Sequence, residues 1–213
     1  MLIKASDKYD TVVQVIVGEG DGAKTFEVYK GMLSYYSDYF RSALKGDFQE
    51  AKEGVLRLPT EDPETFRYFK NWLYTRNFQS SAEPDWKVLG DEACVKLYFF
   101  ADCRQIPSLG NAALDLLRQS IRMKWQIPTD LVEMIDEETM PGCGLRRFIV
   151  DIMARLWDGS SEHHIKMGWP KAALHDLAVR LISRPKKEDK AAFIKWDMCL
   201  YHIHQEGVRC EQS

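Results

Sequence analysis

The aromatic-rich stretch of residues 26–40 constrains the fold more than any other part of the sequence. Eight of its fifteen residues are aromatic or large aliphatic, which is too many to leave in water. Phe26 and Val28 alternate as in a strand, a turn is predicted at Gly31, and a helix follows that ends near Gly46. We therefore expect the first half of the chain to pack around this helical corner. The helix residues predicted to share one face are Met32, Leu33, Tyr36, Tyr39 and Phe40.

A small sheet is predicted around this corner. Residues 11–17 are β-branched except for Gln14, which predicts a strand covered on both faces. The glycine-rich residues 18–22 follow, and a second strand comes next. They therefore predict a hairpin turn rather than a phosphate-binding loop, because such a loop needs a helix after its glycines. Residues 55–58 predict a third, short strand.

Helices are predicted for most of the remaining chain. Asp62 can cap a helix and Pro63 suits its first position, so a helix should run from there to about Tyr74. Beyond residue 88, apolar residues recur at helical spacing in successive segments, and the last helix is predicted over residues 193–201. A small sheet with packed helices, followed by a helical C-terminal region, is an α+β fold.

The charge and hydropathy of the chain argue against two classes of partner. The formal net charge is -3, so the molecule is not built to attract phosphate backbones, and no direct nucleic-acid partner is expected. No apolar run approaches the roughly 20 residues that span a bilayer, and the N-terminus lacks the apolar segment of a secretory signal. We therefore expect a cytoplasmic or nuclear protein without a membrane partner.

Five short motifs together resemble the BTB/POZ domain. One of them is Phe-x-x-His-Lys/Arg-x-x-Leu, which residues 26–33 match with Tyr29 in the histidine position. The resemblance rests on the five motifs taken together. The matching segments are residues 9–15, 26–33, 37–40, 69–75 and 97–109.

The resemblance implies a BTB/POZ domain over residues 9–123 and a helical C-terminal extension over residues 124–213, as in many fungal proteins of this family. BTB/POZ domains bind other proteins, so the implied function is an adaptor or assembly protein and not an enzyme. A homodimer is one implied partner, although residues 1–9 are too short for the helix and strand that many family dimers exchange. The alternative functions are a transcription or chromatin cofactor and, third, an enzyme.

The resemblance also implies a site for a cullin scaffold of ubiquitin ligases. Family members that recruit cullins carry a hydrophobic-x-Glu motif between the corner helix and the third strand, and Phe48, Gln49 and Glu50 match it here. An exposed apolar anchor beside a charge is typical of an interface hot spot. Tyr74 is predicted to line the same surface. The structural alternative is that Phe48 packs into the core of its own domain.

Two further constellations have structural alternatives. Asp10 and Lys30 match a charged pair in a groove that takes corepressor peptides in some family members. The structural alternative is that the two residues form an ordinary ion pair. The C-terminal group of Cys199, His202, His204 and Cys210 offers four zinc ligands. Its spacing fits no familiar zinc finger, and a helix would place the two histidines on different faces, so no metal site is predicted.

Enzyme motifs with a recognisable mechanism are absent from the sequence. It contains neither a Gly-x-Ser-x-Gly nucleophile elbow nor a His-Glu-x-x-His zinc motif. We therefore predict no catalytic residue and no cofactor.

Overall fold

A three-stranded sheet opens the fold. The computed structural model describes residues 9, 11–46, 48–78, 89–156, 169–183, 185–204 and 208–210. The strands are β1 (Val12–Val17), β2 (Lys24–Tyr29) and β3 (Val55–Leu58). β1 lies in the middle, antiparallel to β2 and parallel to β3. The predicted sheet and its hairpin are confirmed.

Only one face of the central strand is buried. Val13, Val15 and Val17 are at most 3% exposed, whereas Val12 is 50% exposed and Gln14 also faces solvent. Successive side chains of a strand point to opposite faces, and one of these faces is packed here. The prediction of a strand covered on both faces is therefore wrong. A run of β-branched residues also suits a half-buried strand, because these residues fit any pleated surface.

The helical corner consists of two helices instead of the single predicted one. These are α1 (Lys30–Tyr36) and α2 (Asp38–Ala43), and Gly31 lies in the first turn of α1 rather than in a turn before it. The break is at Ser37, whose hydroxyl oxygen accepts a hydrogen bond from the backbone N–H of Phe40 at 3.0 Å. Ser37 thus caps the second helix, which changes the direction of the chain.

A short helix that the sequence did not predict connects the corner to β3. This helix, α3 (Gln49–Glu53), ends at Gly54, which has a φ of 67°. Glycine is favoured there because a side chain strains the left-handed backbone. The next helix, α4 (Pro63–Thr75), begins as predicted. The carboxylate of Asp62 accepts hydrogen bonds from the backbone N–H groups of the two residues that follow Pro63.

The second half of the chain is helical. Its helices are α5 (Asp91–Cys103), α6 (Pro107–Lys124), α7 (Val132–Glu138), α8 (Gly144–Leu156), α9 (Lys171–Ile182) and α10 (Lys190–Ile194). The predicted last helix over residues 193–201 is wrong, since α10 ends early and a separate 3-10 turn follows at Met198–Leu200. Within the described ranges, none of the helices is long and apolar enough to cross a bilayer.

The chain divides into two compact units, and each has an aromatic core. In the first unit, Phe66, Phe69 and Phe100 form a triangle with ring centroids 5.0–6.0 Å apart, and all three are at most 2% exposed. Phe40 of the corner stacks on Phe69 at 6.2 Å. The first unit comprises residues 1–87 and 100–110, and the second comprises residues 88–99 and 111–213.

The core of the second unit joins α8 to the C-terminal segment. Phe148 of α8 lies 5.2 Å from Tyr201 and 6.4 Å from Phe193, measured between ring centroids. The approach is close at the first residue of α8, Gly144. A Cβ atom there would overlap the carbonyl oxygen of Tyr201 and lie 3.0 Å from its carbonyl carbon. The absence of a side chain at Gly144 therefore lets the segment pack directly on the helix.

Candidate protein-docking site

Phe48 is an exposed aromatic residue at the start of α3. Its backbone is extended, with φ of -60° and ψ of 148°, and its carbonyl oxygen accepts hydrogen bonds from Ala51 and Lys52. The helix therefore begins at a fixed point, while the Phe48 side chain points outward and is 61% exposed. The alternative that this ring packs into the core of its own domain does not agree with the structure.

The two residues after Phe48 form the first turn of α3. Gln49 is exposed and donates a hydrogen bond from Nε2 to Oε1 of Glu53 at 2.5 Å. This hydrogen bond is the main cause that lowers the pKa of Glu53. Glu50 is half-buried, and its carbonyl oxygen accepts from the N–H of Gly54 at 2.9 Å. Gln49 and Glu50 therefore lie directly after Phe48 in the first turn of the helix.

A basic cleft lies beside this turn. It has a volume of about 290 Å³ and contains three cationic side chains. One of them, Arg41, forms an ion pair with Asp38 and donates to the carbonyl oxygen of Ser34 at 2.9 Å. The other two cations give the cleft a positive charge that favours an acidic partner. The lining residues are Lys30, Ser34, Arg41, Leu44, Lys45, Gly46 and Ala51.

Tyr74 lies on α4 and is fixed by contacts with β2. Its hydroxyl oxygen accepts a hydrogen bond from the backbone N–H of Tyr29 at 3.0 Å, and the two rings are 6.4 Å apart. Burial raises the pKa of Tyr74, against the lowering effect of that hydrogen bond. The side chain remains 38% exposed, so its ring can still contact a partner. That Tyr74 shares a surface with Phe48 stays a prediction.

The predicted charged groove is described on one side only. Lys30 begins α1, and its backbone N–H donates to the carbonyl oxygen of Thr11 at 2.7 Å. The chain at Thr11 therefore runs next to Lys30, but Asp10 lies outside the described residues. The pairing of Asp10 with Lys30 stays a prediction.

Comparison with known proteins decides the family. A model of the BTB/POZ domain matches residues 4–121, which is more than half of the 213-residue chain. The chain belongs to the BTB/POZ family. BTB/POZ domains are protein–protein interaction modules and are generally not enzymes, so this chain carries a protein-binding domain. A comparison with curated proteins found no significant match.

Sequence reasoning missed the helix and the cleft of this BTB/POZ domain, although one signal was present. Residues 49–53 are good helix formers, and Gly54 follows them directly, which is the pattern of a helix with a glycine C-terminus. The cleft has no comparable signal. Lys30 and Lys45 are fifteen positions apart, and only the fold of α1 and α2 brings them to the same cleft.

Proposed function

We propose that the protein is a BTB/POZ adaptor that binds a cullin scaffold through Phe48, Gln49 and Glu50. The observation that carries the proposal is the Phe48 ring, which is 61% exposed at the fixed start of α3. Tyr74 would line the rim of the same interface. In this proposal residues 9–123 are the docking domain, and the helical extension of residues 124–213 positions a second partner protein.

The energetics of Phe48 support a role in docking. Burying a phenylalanine side chain stabilises a complex by about 1.5–3 kcal/mol. Interface hot spots are commonly such aromatic anchors, surrounded by residues that exclude water without contributing much affinity. Glu50 supplies a charge beside the anchor, and charges at an interface rim set orientation and association rate. The turn therefore combines an anchor with an orienting group.

The test is binding of the full chain to purified cullin scaffolds, measured by calorimetry. Phe48→Ala should weaken binding at least tenfold, because truncation of a hot-spot anchor costs about 2 kcal/mol or more. Glu50→Ala should weaken it less. Met140→Ala is the matched control, since it truncates another apolar side chain that is 73% exposed and should leave affinity unchanged. No binding by the wild-type chain, or equal binding by Phe48→Ala, would contradict the proposal.

The basic cleft supports a second candidate function, which is contact with an acidic corepressor-type peptide by a nuclear cofactor. Lys30 and Lys45 line the cleft together with Ala51 of α3. In that case Lys30→Gln should abolish peptide binding and nuclear co-purification of partners, while Phe48→Ala retains both. The opposite pattern favours the cullin adaptor. Light scattering on the same samples reports whether the chain forms a homodimer.

A further inference from the structure

Three potential metal ligands meet in the C-terminal segment of the second unit. The sulfur atoms of Cys199 and Cys210 and a ring nitrogen of His204 all lie within 4.8 Å of one another. The distance from Cys210 Sγ to His204 Nε2 is 3.5 Å. Ligand atoms around a tetrahedral zinc ion lie about 3.3–3.8 Å apart, given bond lengths of about 2.3 Å to sulfur and about 2.0 Å to nitrogen. The three side chains are therefore close to ligand geometry.

A fourth potential ligand lies at the edge of this group, close to Cys210 although not within 4.8 Å of all three. His202 Nδ1 lies 3.0 Å from Cys210 Sγ, and the His202 side chain is only 3% exposed. Two thiols and two imidazoles form the set that is typical of structural zinc sites. Harder ions such as Mg²⁺ and Ca²⁺ prefer oxygen ligands, so the donor set selects zinc among the common divalent cations.

The other nitrogen of His202 also fits a metal ligand. His202 Nε2 is buried without a hydrogen bond among the described residues, but Asp115 Oδ1 lies 3.1 Å away. A metal on Nδ1 leaves the ring proton on Nε2, which a small rotation of the ring would direct at that carboxylate. A carboxylate behind a ligating histidine fixes the ring orientation and strengthens its metal bond. Asp115 would therefore be a positioning residue.

The backbone holds the two histidines on the same side of the chain. Asn111 of α6 accepts from the N–H of Ile203 at 2.8 Å and donates to its carbonyl oxygen at 2.9 Å. Ile203 lies between His202 and His204, in a segment that is not helical. The ring centroids of His202 and His204 lie 5.9 Å apart, so the two side chains are on the same side of the chain. A helix would have placed the two histidines on different faces, but the chain is not helical at residues 202–204.

The cysteines are positioned by hydrogen bonds of their own. The Asp197 carboxylate accepts from the N–H of Cys199 at 3.0 Å and caps the 3-10 turn that carries this thiol. The backbone N–H of Cys210 then donates to the sulfur of Cys199 at 3.2 Å. This hydrogen bond holds the sulfur atoms of Cys199 and Cys210 close to each other.

We propose that Cys199, His202, His204 and Cys210 form a structural zinc site that fastens the C-terminal segment to α6. Four protein ligands leave no open position, so the ion has a stabilising and not a catalytic role. The site is independent of the proposed docking surface, because its residues belong to the second unit, whereas Phe48 belongs to the first.

The first test is the zinc content of the full chain, purified under reducing conditions without a histidine tag. We expect about one zinc ion per chain and a large fall in zinc content for Cys210→Ser and His204→Ala. Cys103→Ser and His175→Ala are matched controls, because they remove an exposed thiol and an imidazole outside the cluster and should keep the ion. Loss of zinc in the control variants, or retention of zinc in both cluster variants, would overturn the proposal.

The second test examines geometry and the role of Asp115. Cobalt substitution should give the intense d–d bands of a tetrahedral ion and a thiolate charge-transfer band, which Cys210→Ser reduces. Asp115→Asn should keep the stoichiometry but weaken zinc affinity about 10- to 100-fold, as changes behind a metal-bound histidine do. Octahedral cobalt spectra, or unchanged affinity in Asp115→Asn, would contradict the geometry proposed here.

A third test needs no variant and so does not depend on how well the variants fold. Removal of the ion from the wild-type chain by a chelator should lower the melting temperature, and zinc but not magnesium should restore it. Two outcomes would overturn the site. One is a chain that takes up no zinc and forms a Cys199–Cys210 disulfide. The other is a chain that, as purified without a chelator, contains no zinc and has a Cys210 that reacts rapidly with alkylating agents.

Discussion

At the scale of single residues, Ser37 connects the corner to a distant turn. Its side chain is 1% exposed and uses both functions of its hydroxyl group. The oxygen accepts from the N–H of Phe40, and the hydroxyl donates to the carbonyl oxygen of Arg104 at 2.5 Å. Arg104 in turn pairs with Glu61 at 2.5 Å and lies over the ring of Tyr39. One hydroxyl thus organises contacts across the first unit.

Substitution of Ser37 should therefore destabilise the domain strongly. Ser37→Ala removes a helix cap, which costs about 1 kcal/mol, and leaves the Arg104 carbonyl without this partner, which costs about 1–3 kcal/mol. We expect the free energy of unfolding in urea to fall by about 2–4 kcal/mol. Ser42→Ala, an exposed position in α2, should change it by less than about 0.5 kcal/mol. Equal effects of the two substitutions would show that the Ser37 hydroxyl has no special role.

At the scale of elements, the end of α8 is closed by the segment that follows α9. The carbonyl oxygen of Arg155 accepts from the N–H of Glu188 at 2.9 Å, and that of Ala154 accepts from Lys187 Nζ at 3.1 Å. The Glu188 carboxylate accepts from the Arg155 guanidinium and from Trp196 Nε1 at 2.6 Å. Carbonyl groups that a helix end leaves unpaired thus find partners in a later segment.

The Glu188 contacts predict a pH dependence of stability. Burial raises the pKa of Glu188, but hydrogen bonds from Arg155 and Trp196 outweigh it and hold the pKa below its ordinary value of 4.5. A depressed pKa stabilises the fold above the unfolded pKa, and this contribution is lost as the pH falls through the folded pKa. The stability difference between wild type and Glu188→Gln should therefore be largest at pH 7 and shrink below about pH 4.5.

Urea unfolding at pH 7 and at about pH 3 measures this difference. Glu137→Gln, at an exposed position of α7, controls for the loss of one negative charge. The Glu188 variant should lose its disadvantage in acid, while the control stays close to wild type at pH 7. A difference that is the same at both pH values would mean that the Glu188 charge does not stabilise the fold.

At the scale of the whole molecule, elements with local signals were predictable and their breaks were not. β3 and the start of α4 have their own markers, namely a short apolar run and the Asp62–Pro63 pair. The split of the corner at Ser37 has none, because apolar residues keep a spacing of three or four on both sides of the break. A serine within a helical pattern fits a helix interior as well as a cap, and the contact with Arg104 that separates the two cases is 67 residues away.

The functional candidates show the same limit. The resemblance to a family pointed to Phe48, and the structure adds that its ring is exposed. The cysteine and histidine cluster was visible in composition, but its geometry was misjudged because a helix was expected to reach Tyr201. The non-helical path at Ile203 depends on Asn111, which is 92 residues away in sequence. No local pattern around the histidines contains that information.

Gly144→Ala should separate the C-terminal segment from α8. Because its Cβ would overlap the Tyr201 carbonyl oxygen, a backbone atom, the clash cannot be relieved by a rotamer change. Overpacking of this kind costs about 1–3 kcal/mol. We expect faster trypsin cleavage after Lys195 and a lower melting temperature, whereas Gly90→Ala, where a Cβ meets nothing within 4 Å, should behave like wild type. Equal protease resistance in both variants would contradict this expectation.

The consequence reaches beyond stability. A methyl group at residue 144 would act as a wedge under Tyr201, which directly precedes His202 and follows Cys199 by two residues. Those two side chains come from a stretch of chain whose position is set by the missing Cβ. Gly144 thus supports two side chains that it does not contact. Even a single methyl group added at this position should weaken metal binding by Cys199 and His202.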